Sequence, residues 1–213
     1  MLLFFLKEII AFSMIVGIII GIINRKFLRT EVKLIWFYLC LALLVECISR
    51  VLVLYKIRNL WIGYAYLPLE FGLIAQAYGM RLEKSLPKNL IKILSLIFYP
   101  LCMLVVALWH QDAVKTYSNM RILEIMLLLG LALSYFYVLM KRMSLEKPEQ
   151  DPFFWINTGI LFYVSGSAFP FLYFYLLDDF SKSFGLVVSH LHRLFLGIYY
   201  LTIAIGLWIT RKK

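Results

Sequence analysis

The chain has 213 residues, 63% of them hydrophobic and 16% charged, with a formal charge of +10 and a mean hydropathy of +0.85. Soluble domains carry roughly 25% charged residues, so this balance excludes an ordinary water-soluble protein and points to a polytopic α-helical membrane protein. Nucleic acid is not an expected partner, because the lysines and arginines fall in short gaps between apolar runs, where membrane topology accounts for them.

Seven apolar segments are predicted at 2–23, 34–55, 61–80, 91–109, 119–140, 153–177 and 184–210. Each is near the roughly 20 residues that cross the hydrocarbon of a bilayer. The alternating short strands of a barrel are absent. The expected fold is therefore all-α: a single domain, 1–213, forming a seven-transmembrane-helix bundle.

Orientation follows from the basic residues. Fourteen lysines and arginines fall in the first, third and fifth gaps and the C-terminal tail, against six in the N-terminus and the other gaps. The positive-inside rule then puts the N-terminus outside and the C-terminus in the cytoplasm.

The first segment has no basic region before its apolar run and no small-x-small cleavage site, so it reads as a span rather than a removed signal peptide. Within it, Gly17-Ile18-Ile19-Ile20-Gly21 is a GxxxG, used for packing inside the bundle or for a homo-oligomer face. Cys40, Cys47 and Cys102 all lie in predicted spans without zinc-ligand spacing, and read as small apolar packers.

In the second segment Glu46 and Arg50 lie four residues apart, on one helical face and one turn from each other. A charge near the bilayer centre costs a few kcal/mol, so both must face protein or water and find a partner. They form either a structural pair that locks helix packing or part of a site, and Ser49 extends their face. In the third segment Tyr66 and Glu70 are one turn apart with Pro68 between them. Pro68 frees a carbonyl one turn back, near Tyr64. Glu70 is either a proton or cation site, or the counter-charge of Arg50 or Arg193. Arg121 and Glu124 open the fifth segment.

Phe153, Phe154 and Trp155 open the sixth segment as an interfacial aromatic belt, followed by Asn157 and Ser165 on a shared face. Gly159, Gly166 and Pro170 there allow close packing and a bend. Ser165-Gly166-Ser167 does not give the rhomboid protease pattern with a partnering histidine. In the seventh segment His190 and Arg193 share a face, with His192 nearly opposite. Histidines two apart on a helix cannot both ligate one metal, which needs i,i+4 spacing. With His110 the only other histidine, a seven-helix zinc hydrolase is not expected, and no metal or cofactor is. The seventh segment has no lysine before Arg211, which removes a retinal Schiff base.

Tyr66-x-x-x-Glu70-Phe71 and Phe154-Trp155-Ile156-Asn157-x-Gly159-Ile160-Leu161-x-Tyr163 give the chain a family likeness, to which His190-x-His192 and Tyr199-Tyr200 add. It resembles a group of small bacterial inner-membrane proteins with seven helices and no established activity, and the resemblance covers most of the chain. Members often carry asparagine in the seventh helix, where this chain has Leu194, Leu196 or Gly197. The resemblance implies the architecture and an inner-membrane location, and for some members a role beside signalling histidine kinases.

With the assigned orientation Glu46 is central, and Glu8, Arg50, Glu70, Arg121, Glu124, His190, His192 and Arg193 fall in the outer half of the membrane. That distribution predicts one polar cavity open to the extracytoplasmic side. Its expected ligand-binding residues are Glu46, Arg50, Tyr66, Glu70, Glu124, His190 and Arg193. The expected function is a sensor or receptor-like membrane protein that binds a small polar or zwitterionic ligand there. It would act through a signalling partner at the basic cytoplasmic loops. The alternative is a proton-coupled transporter carrying protons on Glu70 and Glu46, although the inner half offers little beyond Asn157 and Thr158 to complete a path. An intramembrane enzyme with Glu70 or His190 as general base ranks third.

Overall fold

A computed structural model describes the backbone of residues 2–57, 59–83, 87, 89–108, 113–142, 147–176 and 182–212. Side chains are described from residue 13 onward, except at 60, 105–116, 142, 169, 171–184 and 212 and in the backbone gaps. His110 and the Asp178-Asp179 pair therefore lie outside the described residues, as does the side chain of Glu8.

Seven helices follow one another: α1 Leu2–Ile23, α2 Thr30–Leu54, α3 Leu60–Arg81, α4 Leu90–Leu108, α5 Ala113–Arg142, α6 Pro152–Leu176 and α7 Lys182–Ile209. Short 3-10 turns occupy Pro148–Gln150 and Thr210–Lys212, and no strand occurs among the described residues. Each helix overlies one of the apolar segments. Two begin well before their apolar run, α2 at Thr30 and α5 at Ala113. Hydropathy marks where a helix meets apolar surroundings, whereas the backbone ladder continues through a polar first turn as long as nothing breaks it.

The stretches Thr30–Leu54, Tyr117–Lys141 and Gly185–Ile209 are long and apolar enough to cross a membrane, and Ser13–Ile23 and Leu90–Leu104 are shorter apolar stretches. The central helix α3 packs against α2, α4 and α5, while α7 packs against α6 and α1. Position explains why α3 tolerates more polar residues: it buries Leu67, Phe71, Ile74, Ala75 and Tyr78 on its neighbours. The chain is apolar outside and charged inside. Ile19, Phe37, Leu96, Ile97, Met126, Leu133, Phe162, Leu194 and Trp208 are exposed, while Glu70, Arg121, Glu124, Asp151 and Asn157 are buried. A water-soluble monomer rarely shows so much exposed apolar surface, and the arrangement is compatible with a membrane protein.

Close backbone approach sets the α1–α2 contact. The Trp36 indole nitrogen donates to the Ile18 carbonyl at 3.2 Å, and a Cβ on Gly21 would collide with that ring. Gly17 meets Leu39 of α2 and Ala204 of α7. The GxxxG of α1 thus packs within the helix set, the first of the two uses its spacing allows.

Local signals fix two helix ends that matter for the site. At the end of α2 the Ile57 N–H bonds the Leu52 carbonyl and the Lys56 N–H bonds that of Val53, with Lys56 at φ 57°. That pair of bonds closes a Schellman turn and swings the chain into Asn59, which caps α3 by position. At the start of α6, Pro152 occupies the first helical position. Asp151 before it accepts the Phe153 N–H on its carboxylate at 3.3 Å, as an N-cap should.

Candidate functional site

The candidate site grows from a stripe on α2. Ala42, Val45, Glu46, Ser49, Arg50 and Val53 recur at three- and four-residue intervals, which puts them on one helical face. Together they form one wall of a cavity of about 730 Å³. The opposing walls come from Met14 of α1, Asn59, Tyr66 and Glu70 at the start and middle of α3, Arg121 of α5, Tyr163 of α6, and His192, Arg193, Leu196 and Tyr200 of α7. Most of these contributions come from the second half of α2 and the first halves of α3, α5 and α7, with Met14, Tyr163, Leu196 and Tyr200 near or past the middle of their helices. Helices alternating in direction bring those halves to one end of the molecule.

Three ionic elements shape the cavity. The first is the pair foreseen on α2: Arg50 Nε donates to Glu46 Oε1 at 2.8 Å, with both side chains 39% exposed. The second is a buried triad. Arg121 Nη1 donates to Glu70 Oε2 at 2.6 Å and also to Glu124 Oε2 on its own helix. The Tyr38 hydroxyl donates to the other oxygen of Glu70 at 3.2 Å. Two carboxylates share one guanidinium. Glu124 Oε1 has no hydrogen-bond partner among the described residues. The third is Arg193, whose recorded polar contact is a long 3.5 Å approach to His190 Nδ1. No carboxylate pairs with Arg193 among the described residues.

An aromatic floor lies beneath these charges. Tyr163 stacks on Tyr199 at 5.0 Å, and Tyr199 on Tyr200 at 5.3 Å. His192 sits beside the Tyr163 ring and shares a 3.1 Å hydrogen bond between its Nδ1 and the Ser167 hydroxyl. The Tyr163 hydroxyl, although buried, has no hydrogen-bond partner among the described residues.

Of the residues expected from the sequence, Glu46, Arg50, Tyr66, Glu70 and Arg193 line this one cavity. Glu124 stands behind Arg121 and does not reach the lining. His190 does not either, because the cavity stripe of α7 (192, 193, 196 and 200) is centred between His192 and Arg193, and His190 lies beyond its edge. Sequence reasoning paired Glu70 with Arg50 or Arg193, whereas its partner is Arg121. It also passed over His192 as facing away from the site. The signal for Arg121 was present: an arginine and a glutamate three apart inside an apolar run, the same sign that picked out Glu46 and Arg50.

A second polar cluster lies at the other end of the molecule. Arg81, in the last turn of α3, is ion-paired with Asp151, and the Tyr135 hydroxyl donates to the same carboxylate at 3.4 Å. The Tyr78 hydroxyl donates to Asn157 Oδ1 at 2.5 Å, and Asn157 Nδ2 donates to the Ala132 carbonyl at 3.4 Å. These bonds tie α3, α5 and α6 together where α6 begins. Asn157 thus serves interhelical hydrogen bonding.

Among the described residues no group of three or more His, Cys, Asp or Glu side chains is placed to hold a metal ion. Fold and exterior define the class: a protein all-helical among the described residues, three of whose helices are there long and apolar enough to cross a membrane, with ion pairs in its interior. No family model, no curated protein and no solved structure matches the chain.

Proposed function

We propose that the chain is a multi-pass protein of the bacterial inner membrane, its seven helices spanning the bilayer with the N-terminus outside and the C-terminus in the cytoplasm. The cavity opens to the extracytoplasmic side and binds a small polar ligand. Occupancy biases helix packing, and a partner at the basic cytoplasmic loops reads the change. The observation that carries this reading is the cavity itself: about 730 Å³ with Glu46, Arg50, Glu70, Arg121 and Arg193 in its walls. Desolvating so many ionisable groups around a void costs several kcal/mol. A chain built only for packing would fill such a space with apolar side chains. The likeness to small seven-helix inner-membrane proteins, some acting beside histidine kinases, supports the same reading.

Reception is favoured over transport because the far end is tied shut by Arg81–Asp151 and Tyr78–Asn157, and no residue of that cluster lines the cavity. A proton-coupled permease is the second reading. The observation on its side is the triad, in which two buried acids share one arginine.

Two experiments test the proposal. Reporter fusions at the C-terminus and after α2 and α6 should place the C-terminus inside and both loops outside. Ligand-dependent thermal stabilisation should vanish in Glu70→Gln and Arg50→Ala. Substrate uptake into proteoliposomes under a pH gradient would instead favour the permease.

A further inference from the structure

The carboxylates in the cavity wall come already matched. Glu46 and Arg50 hold each other at 2.8 Å. Glu70 accepts from Arg121 on one oxygen and from the Tyr38 hydroxyl on the other. A matched ion is a poor partner for a ligand charge, because the ligand must first pull the existing pair apart. It remains a good hydrogen-bonding group, since a guanidinium carries more N–H donors, and a carboxylate more lone pairs, than one partner uses. Ser49, Asn59, Tyr66 and Tyr200 add neutral donors and acceptors to the lining. The Tyr163 hydroxyl is buried there with no hydrogen-bond partner among the described residues. Between these groups Met14, Val45, Val53 and Leu196 are apolar.

We infer that the cavity takes a polar but uncharged ring compound, whose hydroxyl, carbonyl or amide groups bond the matched ions while its apolar ring lies among the tyrosines and aliphatic side chains. This rests on the reading of the cavity as a ligand site and names the class of ligand. An anion reaching Arg193 would share the void with the carboxylates of Glu46 and Glu70, and a cation reaching either carboxylate would share it with Arg50, Arg121 and Arg193. Either gives up its hydration shell for neighbours of mixed sign. A hydroxyl or amide loses far less on entering and meets donors and acceptors side by side. A fully hydroxylated sugar would meet the aliphatic side chains of α2, so the body is apolar. Tyr66, Tyr163 and Tyr200 favour a planar ring, because aromatic pairs gain more than their buried area gives. Mostly apolar walls with a few placed polar groups are the usual make-up of a small-molecule site. A free aromatic alcohol or amide and the head ring of a membrane-dissolved quinone share this chemistry.

The test uses probes built on one ring. 4-Methylbenzamide is paired with 4-methylbenzoate, its anionic counterpart, and 4-methylbenzyl alcohol with 4-methylbenzylammonium, its cationic counterpart. Para-xylene is the ring without a polar group, and methyl β-glucoside supplies hydroxyls without an apolar ring. Decylubiquinone, run beside them, separates a membrane-dissolved quinone from a free solute. Each is titrated into the full-length protein in a polyoxyethylene detergent, whose head offers no sugar to compete, with thermal unfolding and calorimetry as readouts. An uncharged polar ring, whether the amide, the alcohol or the quinone, should bind at least about tenfold more tightly than the two ions, the xylene and the glucoside, the scale of one or two net hydrogen bonds. Glu46→Gln should narrow the gap between benzoate and benzamide by about fivefold, the scale of one half-exposed charge. Val45→Trp, which fills the space and leaves the charges in place, should abolish binding of every probe.

Equal or tighter binding of the benzoate or the benzylammonium, abolished by Val45→Trp, overturns the uncharged class and leaves the ligand cavity standing. Equal or tighter binding of the xylene or the glucoside, likewise abolished, overturns the polar ring and leaves the cavity standing too. An unchanged gap in Glu46→Gln removes the reason anions are turned away and overturns the assignment. Binding that persists in Val45→Trp, or failure of every probe to bind, overturns the assignment and the ligand cavity together.

Discussion

Arg121 and Glu70, 51 positions apart, meet at 2.6 Å in the interior and join α5 to α3. The same guanidinium holds Glu124 one turn along α5. Each member of this triad depends on the others, because an ion left alone in an apolar interior bears its whole desolvation cost. The triad also fixes the cavity wall, since Glu70 and Arg121 both face the void.

Removing the cation should therefore be severe. Arg121→Gln leaves two buried carboxylates without a counter-charge and should lower stability by about 3–5 kcal/mol. Adding Glu70→Gln and Glu124→Gln should restore a large part of it. Thermal unfolding in detergent compares the single with the triple variant, and an unchanged melting temperature in the single variant would contradict the triad's role.

The pair on α2 should behave differently. Glu46 and Arg50 have the same spacing logic as the triad but are each 39% exposed. Solvent screening leaves such a pair worth at most about 1 kcal/mol. Glu46→Gln should barely move the melting temperature, and a loss comparable with Arg121→Gln would show that the pair is buried in the folded state.

Asp151 has a capping role and an ion-pairing role that substitution can separate, beside its long 3.4 Å bond from the Tyr135 hydroxyl. It caps α6 through the Phe153 N–H and pairs with Arg81 from α3. Asp151→Asn keeps a capping oxygen and loses the ion pair, while Asp151→Ala loses both. The alanine variant should be less stable than the asparagine variant by about 1 kcal/mol, the usual worth of a cap. Equal losses would assign all the effect to the ion pair.

Gly21 lets α1 lie against the Trp36 indole, where any Cβ would overlap the ring. Gly21→Leu should lower stability by about 1–3 kcal/mol, as overpacking does. Trp36→Phe should lose only the bond to the Ile18 carbonyl, about 1 kcal/mol. If α1 instead serves as an outward dimer face, Gly21→Leu would change the oligomeric state in native electrophoresis and leave the melting temperature alone.

Seven helices and an apolar exterior were legible in the amino-acid order, because hydropathy and the spacing of basic residues are local properties that survive any rotation of one helix against another. The stripe on α2 was legible for the same reason: Glu46 and Arg50 meet within one helix, whatever surrounds it. The identity of Glu70's partner was not. Arg50, Arg121 and Arg193 all line one cavity, and only the packing of α3 against α5 selects one of them. His192 entered the cavity and His190 left it because the rotation of α7 about its own axis is set by the neighbours it packs on, α6 and α1. Periodicity groups residues into faces, but tertiary packing decides which face meets the void.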